Sequence, residues 1–285
     1  MEFLNVLNNK EKGILLASII GDGEITKIYK GSRRKNNSYR EHFSPKQLEY
    51  RMWKCEQLSN YLYITNRSQT LRSKSLPLFT DLYPYFYDKD GLKHIPPKLL
   101  EHCTSIYFLI VLYLDDGSLI LSKRINKRKK LIYLMPSIAF YLQCYRKDEL
   151  EILQKFILQT FQYELKLNKR NDGYGYILKM TKTRDVYKFL NTVKKAMHHC
   201  RSMKYKFDWE YRFHIEKEKL QALYPDYHVI ESNSTRFKNY TNEEITKLIA
   251  LKQLAYTDDE IAKELGRSYW SIVYKIKELR KNGLL

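Results

Sequence analysis

The chain has 285 residues, 44% of them hydrophobic, enough for one large domain or two smaller ones. Its 51 Lys and Arg outnumber 32 Asp and Glu, a formal charge of +19 that calls for a polyanionic partner, either nucleic acid or an anionic membrane surface. No apolar run approaches the roughly 18 to 20 residues that span a bilayer, and the N-terminal MEFLNVLNNKEKG lacks the charged-then-apolar order of a signal peptide. Nucleic acid is the better reading, with no membrane involved.

Cys55, Cys103, Cys144 and Cys200 are too far apart for a CxxC metal site, and nothing marks them as a disulfide framework. They read as reduced packing residues of a cytosolic compartment, in a bacterium or a phage-infected host, with an organelle as the alternative. His198, His199 and Cys200 have no second ligand pair at a spacing that suits zinc.

The first element is LLASIIGDGE, residues 15–24, an apolar helix that ends on Gly21, Asp22 and Gly23. β-formers follow around a basic turn that holds Lys30, Arg33, Arg34 and Lys35, with Arg40 beyond it. By strand alternation Glu24, Thr26, Ile28 and Lys30 share one face, and so do Tyr39, Glu41 and Phe43 on the next strand; which face is which stays open. Ser44, Pro45 and Gln47 supply an N-cap, a first-turn proline and a capping-box partner for a helix over LEYRMWKCEQLSNYL. Strands in LYITNRSQTLRSKS and another helix complete the unit.

LIVLYLDDGS, residues 109–118, then repeats the opening 94 residues on, counted from Asp22 to Asp116. Strand, basic turn and strand follow, with Lys123, Arg124, Lys127, Arg128, Lys129 and Lys130 in and beside the turn. RKDELEILQKFILQTFQ carries a helical stripe at Leu150, Leu153, Ile157 and Phe161. Further strands in YELKLNKRNDGYGYILKMTKT and a helix close the second unit. Each half therefore reads helix, hairpin, helix, hairpin, helix, and the two are expected to pack together.

Residues 228–240, HVIESNSTRFKNY, are polar, lack a helical period and read as a linker. Residues 236–285 hold 10 Lys and Arg against 7 Asp and Glu, so the first 235 residues carry 16 of the 19 net positive charges. In the tail, Thr241 with Glu244 and Thr257 with Glu260 are capping boxes, and Ser268 opens a third helix after a turn at Gly266 and Arg267. The stretch from Asp259 to Ser268 is similar to the helix-turn-helix of Myb-like and sigma-factor-like modules, with Ile245, Leu248, Ile261, Leu265, Ile272 and Ile276 as its core. In that reading Ser268, Tyr269, Ser271, Tyr274 and Lys275 begin the recognition helix and reach the groove; a three-helix protein-binding module is the alternative.

A carboxylate at a helix C-terminus faces the negative end of the macrodipole, at a cost of a few tenths to about 1 kcal/mol. Two such helices side by side bring Asp22 and Asp116 together, which is worse. Divalent cations would cancel both penalties, and carboxylates that hold Mg²⁺ beside a positive surface suit phosphodiester cleavage. Ala17, Ser18 and Gly21 are small enough for close approach of the helix pair.

With LLASIIGDG and LIVLYLDDG as paired signatures, YREHFSPKQLEYRMWK after the first and LKHIPPKLL before the second, the chain resembles a monomeric two-motif LAGLIDADG homing endonuclease. The resemblance covers roughly residues 10–225. It implies an α+β fold of two pseudo-symmetric αββαββα repeats, at 1–100 and 101–227, that form a β-saddle over DNA, followed by the linker and the helix-turn-helix domain at 241–285. It implies two or three divalent ions, Mg²⁺, shared between Asp22 and Asp116, with backbone contacts from Gly21 and Asp115. Ala17, Leu112 and Tyr113 depart from the small interface residues of the nominal motif. A basic residue beside each active site falls on Lys74 and its imperfect counterpart Lys182, with Lys93 as a rival. Polar strand residues would read bases while the basic turns contact phosphate.

The implied activity is a metal-dependent double-strand break in a long DNA target by an intron-encoded enzyme. One alternative is a regulator that has lost cleavage, although retention of both acids argues against it. Another is an RNA maturase that acts on intron RNA. A reverse transcriptase, suggested by Tyr113, Leu114, Asp115 and Asp116, needs further palm acids and leaves residues 15–23 unexplained; an intein would carry splicing residues at its borders, which Met1 and the closing GLL do not supply.

Overall fold

The computed structural model describes residues 1–231, 240–267 and 269–285. It divides into two compact units, Met1–Asn233 and Ser234–Leu285.

In the first unit, α1 (Asn9–Ile20) starts on a capping box in which the Asn8 side chain accepts from Glu11 N–H at 3.0 Å and Glu11 returns the bond at 2.8 Å. From Ile14 onward its residues are all buried and, apart from the small Ser18, all apolar, as a helix enclosed on every face requires. β1 (Glu24–Thr26) and β2 (Ser38–His42) lead to α2 (Leu48–Gln57), then β3 (Leu62–Thr65), β4 (Thr70–Ser73), α3 (Pro77–Phe86) and the short α4 (Pro97–Leu100). The second motif forms α5 (Tyr107–Asp116), followed by β5 (Gly117–Asn126), β6 (Leu131–Phe140), α6 (Lys147–Phe161), β7 (Lys166–Lys169), β8 (Tyr176–Met180) and α7 (Thr183–Ala196). Both halves thus follow the αββαββα order, and the fold is the expected two-repeat α+β class. Three elements beyond the repeat order close the unit: α8 (Lys204–Phe207), α9 (Trp209–Leu223) and β9 (His228–Glu231).

The first sheet runs β1-β2-β4-β3, fully antiparallel. The second runs β5-β6-β8-β7, and β9 joins it parallel to β6, with Leu131 opposite His228 and Leu134 opposite Glu231. Residues 228–231 are therefore strand and not linker: Tyr187 Oη and Trp209 Nε1 both donate to Glu231 Oε1, and the alternating pattern was too short to show against a polar background. Residues 232–239 lie outside the described residues. One core joins both repeats, with α1 against α5 at its centre.

The approach of these two helices is set by glycine. A Cβ on Gly21 would lie 2.7 Å from Asp115 Cβ, so only glycine lets the Asp115 side chain stand there. The larger residues of the second motif are accommodated elsewhere: Leu112 is buried, and the Tyr113 hydroxyl reaches the carbonyl of Lys206.

The second unit holds α10 (Asn242–Gln253), α11 (Asp258–Glu264) and α12 (Tyr269–Lys281) around Leu248, Ile261, Ala262, Ile272, Ile276 and Leu279. Ile245 and Leu265, expected in this core, are only partly buried. Both capping boxes form, at Thr241 with Glu244 and at Thr257 with Glu260. Ser268, expected to cap the third helix, lies outside the described residues. Among the described residues no helix is long and apolar enough to cross a membrane.

Candidate active site and nucleic-acid face

The paired motif helices deliver their acids to one place. Asp116 is the last residue of α5, and Asp22 follows the Gly21 C-cap of α1. Burial first, then the charges of Asp115 and Asp22, push the Asp116 carboxyl up to about 7. Asp116 therefore stands close enough to Asp115 and Asp22 to feel their charges.

Between them lies a buried charge network that the sequence did not reveal. α2 presents Arg51 and Lys54, each with no exposed surface, while its apolar Leu48 and Met52 face solvent, an inversion of the usual helix pattern. Lys54 Nζ lies 2.9 Å from both oxygens of Asp115 and 2.9 Å from Glu41 Oε1. Arg51 Nε lies 2.8 Å from Glu41 Oε1, its Nη1 3.4 Å from Asp115 Oδ1 and its Nη2 2.7 Å from Asp22 Oδ2. Tyr50 Oη donates to Asp115 Oδ1 at 2.9 Å and Tyr39 Oη to Glu41 Oε2 at 2.5 Å. Burial pushes the Glu41 carboxyl up, and Lys54 and Arg51 pull it back. The one available signal was Glu41 itself, an acid in a face otherwise made of Tyr39 and Phe43.

Oxygens of Asp22, Glu41 and Asp115 lie within 4.8 Å of one another, a spacing that could hold a cation. Glu41 and Asp115 share Lys54 and Arg51, and Arg51 also reaches Asp22, so two buried cations stand against these three carboxylates. The carboxylate oxygens of Asp22, which is exposed, and Asp116, which is partly buried, are hard donors of the kind a divalent ion such as Mg²⁺ takes. The Asp115 side chain instead closes the interface of the repeats.

Two lysines seal the helix ends. Lys93 Nζ donates to the carbonyls of Ile19 (2.7 Å), Gly21 (3.0 Å) and Gly23 (2.8 Å). Lys206 Nζ donates to the carbonyls of Leu114 (2.5 Å) and Asp115 (3.1 Å). An ammonium at a helix C-terminus offsets the macrodipole that the acids oppose. Burial lowers both lysines, while Asp22, Asp115 and Asp116 pull both back up. The Gly21 and Asp115 carbonyls, read as metal contacts, therefore accept from lysine in this structure. Lys93, the rival to Lys74 in the sequence reading, thus stands at the end of α1; Lys206 was missed, because no motif marks it in sequence. Among the described residues no hydrogen bond or ion pair ties either preferred lysine to a motif helix: Lys74 is exposed just past β4, and Lys182 is exposed 3.5 Å from Asp185.

The first sheet settles which face is open. Tyr39, Glu41 and Phe43 point into the core, while Glu24, Arg40, Arg72 and Tyr63 form one row across the other side. Arg40 Nε donates to Glu24 Oε1 at 2.6 Å. β1 ends at Thr26, so Ile28 and Lys30 lie beyond the strand and do not continue its face. Arg33 and Lys35 are exposed, but Arg34 folds back onto Thr26 Oγ1 (3.1 Å) and Ser38 Oγ (3.0 Å). In the second sheet Lys123 and Arg124 are exposed on opposite faces of β5. Lys127, Arg128, Lys129 and Lys130 are exposed at the β5–β6 turn, where Lys130 lies 3.4 Å from Asp226.

In the second unit, Tyr269 and Tyr274 are exposed on α12. Two other expected groove residues turn toward Tyr240: Ser271 Oγ lies 3.0 Å from its hydroxyl, and Lys275 Nζ stands 5.6 Å from its ring centre and 2.8 Å from Glu278.

The profile of the LAGLIDADG DNA endonuclease family matches residues 12–189. Among solved structures, the homing endonuclease I-WcaI bound to its DNA recognition sequence is similar with a TM-score of 0.51 at 19% identity, over 72% of this chain and 90% of that one. I-DmoI in complex with DNA and Ca matches at 21% identity and a TM-score of 0.37, over 65% and 89%. The N-terminal LAGLIDADG domain of DUF199/WhiA matches at 16% and 0.35, over 67% and 88%. No curated protein matches the sequence.

Proposed function

The chain belongs to the LAGLIDADG DNA endonuclease family, and on that premise we propose that it makes a site-specific double-strand break in a long DNA target. The observation that carries this reading is the meeting of Asp22 and Asp116 at the ends of two packed helices, each end sealed by a lysine and opening beside a polar, basic sheet face. A non-cleaving descendant has no use for two motif acids kept at the ends of the paired helices, one of them largely buried beside other carboxylates.

Mg²⁺ held by Asp22 and Asp116 would supply Lewis acidity at the scissile phosphates. Arg51 holds Asp22 in one orientation through Oδ2. Lys93 and Lys206, kept beside the acids by the helix carbonyls, place a positive charge where negative charge develops on a leaving oxygen. Glu24, Arg40, Arg72 and Tyr63 meet base edges, and the turn at Lys127, Arg128, Lys129 and Lys130 meets phosphate. The second unit extends the contacted DNA through the exposed face of α12, and the protein acts as a monomer because both acids lie in one chain. An intron is the proposed setting of its gene.

The test is incubation of the purified protein with a randomised duplex library and Mg²⁺, with sequencing of newly created ends. One recurrent cut sequence with the wild type, absent with Asp22→Asn, supports the reading; no enriched ends over a full range of divalent ions sinks it.

A further inference from the structure

The segments that carry Lys93 and Lys206 are each fastened to the opposite repeat. Glu149, buried in the first turn of α6, accepts at Oε1 from the Ile95 N–H at 3.0 Å and bonds His94 Nδ1 at 3.1 Å. Its Oε2 accepts from the Arg146 N–H at 3.0 Å and so closes the start of its own helix. His94 Nε2 continues to Asp88 Oδ2 at 3.0 Å, and Asp88 Oδ1 accepts from the Leu92 N–H at 2.8 Å, which ties down the other side of Lys93. A carboxylate of the second repeat thus grips the backbone on the far side of the first repeat's lysine.

The opposite contact exists too. Glu49, in the first turn of α2, accepts at Oε2 from the Ser202 N–H at 2.7 Å, one helical turn before Lys206. Hydrogen bonds from Ser202 hold the Glu49 carboxyl below its ordinary range. The two acids are not copies of one another. The third position of the helix start holds Glu149 in one repeat and Gln47 in the other, and Gln47 turns back to the Ser44 N–H at 3.3 Å. Two unrelated sequence positions have arrived at one reciprocal arrangement.

We propose that Glu149 and Glu49 are positioning residues, each setting from across the repeat boundary the lysine that seals the other repeat's motif helix. Neither half-site is then complete within its own repeat. A lysine ammonium sits on a flexible four-carbon stem, so fixing the backbone beside it decides how well the stem can hold its carbonyls. Displacements of about 1 Å at a reacting centre can cost on the order of a hundredfold in rate. The catalytic consequence rests on the nuclease reading above; the placement of the lysines does not.

The test uses full-length Glu149→Gln and Glu49→Ala with two readouts. The first is competitive acetylation of the free protein by acetic anhydride, followed lysine by lysine by peptide mass spectrometry. Glutamine has one acceptor oxygen, so it cannot serve both Arg146 and Ile95. Glu149→Gln should raise the labelling of Lys93 several-fold and leave Lys206 alone, and Glu49→Ala should do the reverse. The second is strand-resolved cutting of a duplex labelled on both strands, where the two variants should slow opposite strands. Equal release of both lysines in each variant, wild-type labelling in both, or equal slowing of both strands overturns the proposal. If the wild type cuts no DNA the nuclease reading falls, and the acetylation pattern alone decides the placement. If Glu149→Gln does not fold, Glu49→Ala decides it, because Glu49 is exposed.

Discussion

Arg51, wholly buried, reaches out 2.7 Å to the Oδ2 of Asp22, whereas among the described residues no ion pair reaches Asp116. The two motif acids, equivalent by sequence, therefore differ in kind. One is held by a guanidinium, and the other is an acid whose ionised form burial and its neighbours disfavour. Asp22→Asn and Asp116→Asn should each abolish double-strand cleavage and leave DNA affinity within a few-fold. Their effects on the metal-free fold should be opposite at pH 8. Asp116→Asn should stabilise by roughly 1–3 kcal/mol by removing a disfavoured charge, and Asp22→Asn should destabilise by removing a partner of Arg51. Urea unfolding of the two variants gives the signs; a common sign would refute the asymmetry.

Divalent ions should act on the same pair. Ca²⁺ or Mg²⁺ should raise the melting temperature of the wild type in the absence of DNA, by mass action on the folded state. The rise should be lost in the double variant Asp22→Asn/Asp116→Asn. A rise of the same size in that variant would place the ions elsewhere.

Lys54 lies between Asp115 and Glu41 with no exposed surface. Removal of one member of a buried ion pair commonly costs about 3–5 kcal/mol, because the charge left behind has no partner. Lys54→Met should destabilise by that order, and addition of Asp115→Leu should recover part of it, as read by denaturant midpoints at unchanged slope. A neutral single variant would show that the network contributes nothing to the joining of the repeats.

His94 bonds both Asp88 and Glu149, and the bond to Asp88 holds its pKa above the ordinary 6.5. Its folded value exceeds its unfolded one, so the stability it confers is complete below about pH 6.5 and is lost as pH rises through the higher folded value. His94→Gln should flatten the stability curve over that window and change little above it. A loss in the variant that grows with rising pH would contradict the sign.

Each phosphate that a basic side chain neutralises steepens the fall of log K with log salt by about 0.9. Replacement of Lys127, Arg128, Lys129 and Lys130 by alanine should therefore reduce the slope markedly while the preferred sequence stays the same. An unchanged slope would show that this turn does not meet the DNA backbone.

Truncation within residues 228–231 would cut a strand paired with β6, so removal of the second unit has to begin beyond Glu231. A chain that ends at Asn233 should remain a folded, metal-dependent nuclease with weaker affinity and a shorter protected footprint. Identical footprints with and without the second unit would assign α12 to another partner.

The sequence by itself determined the order of elements, because hydrophobic period, capping boxes and turn residues act over a few neighbours. It also determined the two acids, since an apolar helix that ends in Asp and Gly is written twice. The tertiary structure decided which charges would be buried. α2 hides Arg51 and Lys54 and exposes Leu48 and Met52, since Glu41 and Asp115 arrive from other elements to neutralise them. It likewise decided which lysines matter. Lys93 and Lys206 are chosen by backbone carbonyls at the ends of the motif helices that lie 70 to 74 residues away from one of them and 91 to 92 from the other. Strand alternation could group Tyr39 with Glu41 but could not say that the pair faces inward, because a local pattern records which residues share a side and only packing gives that side a partner.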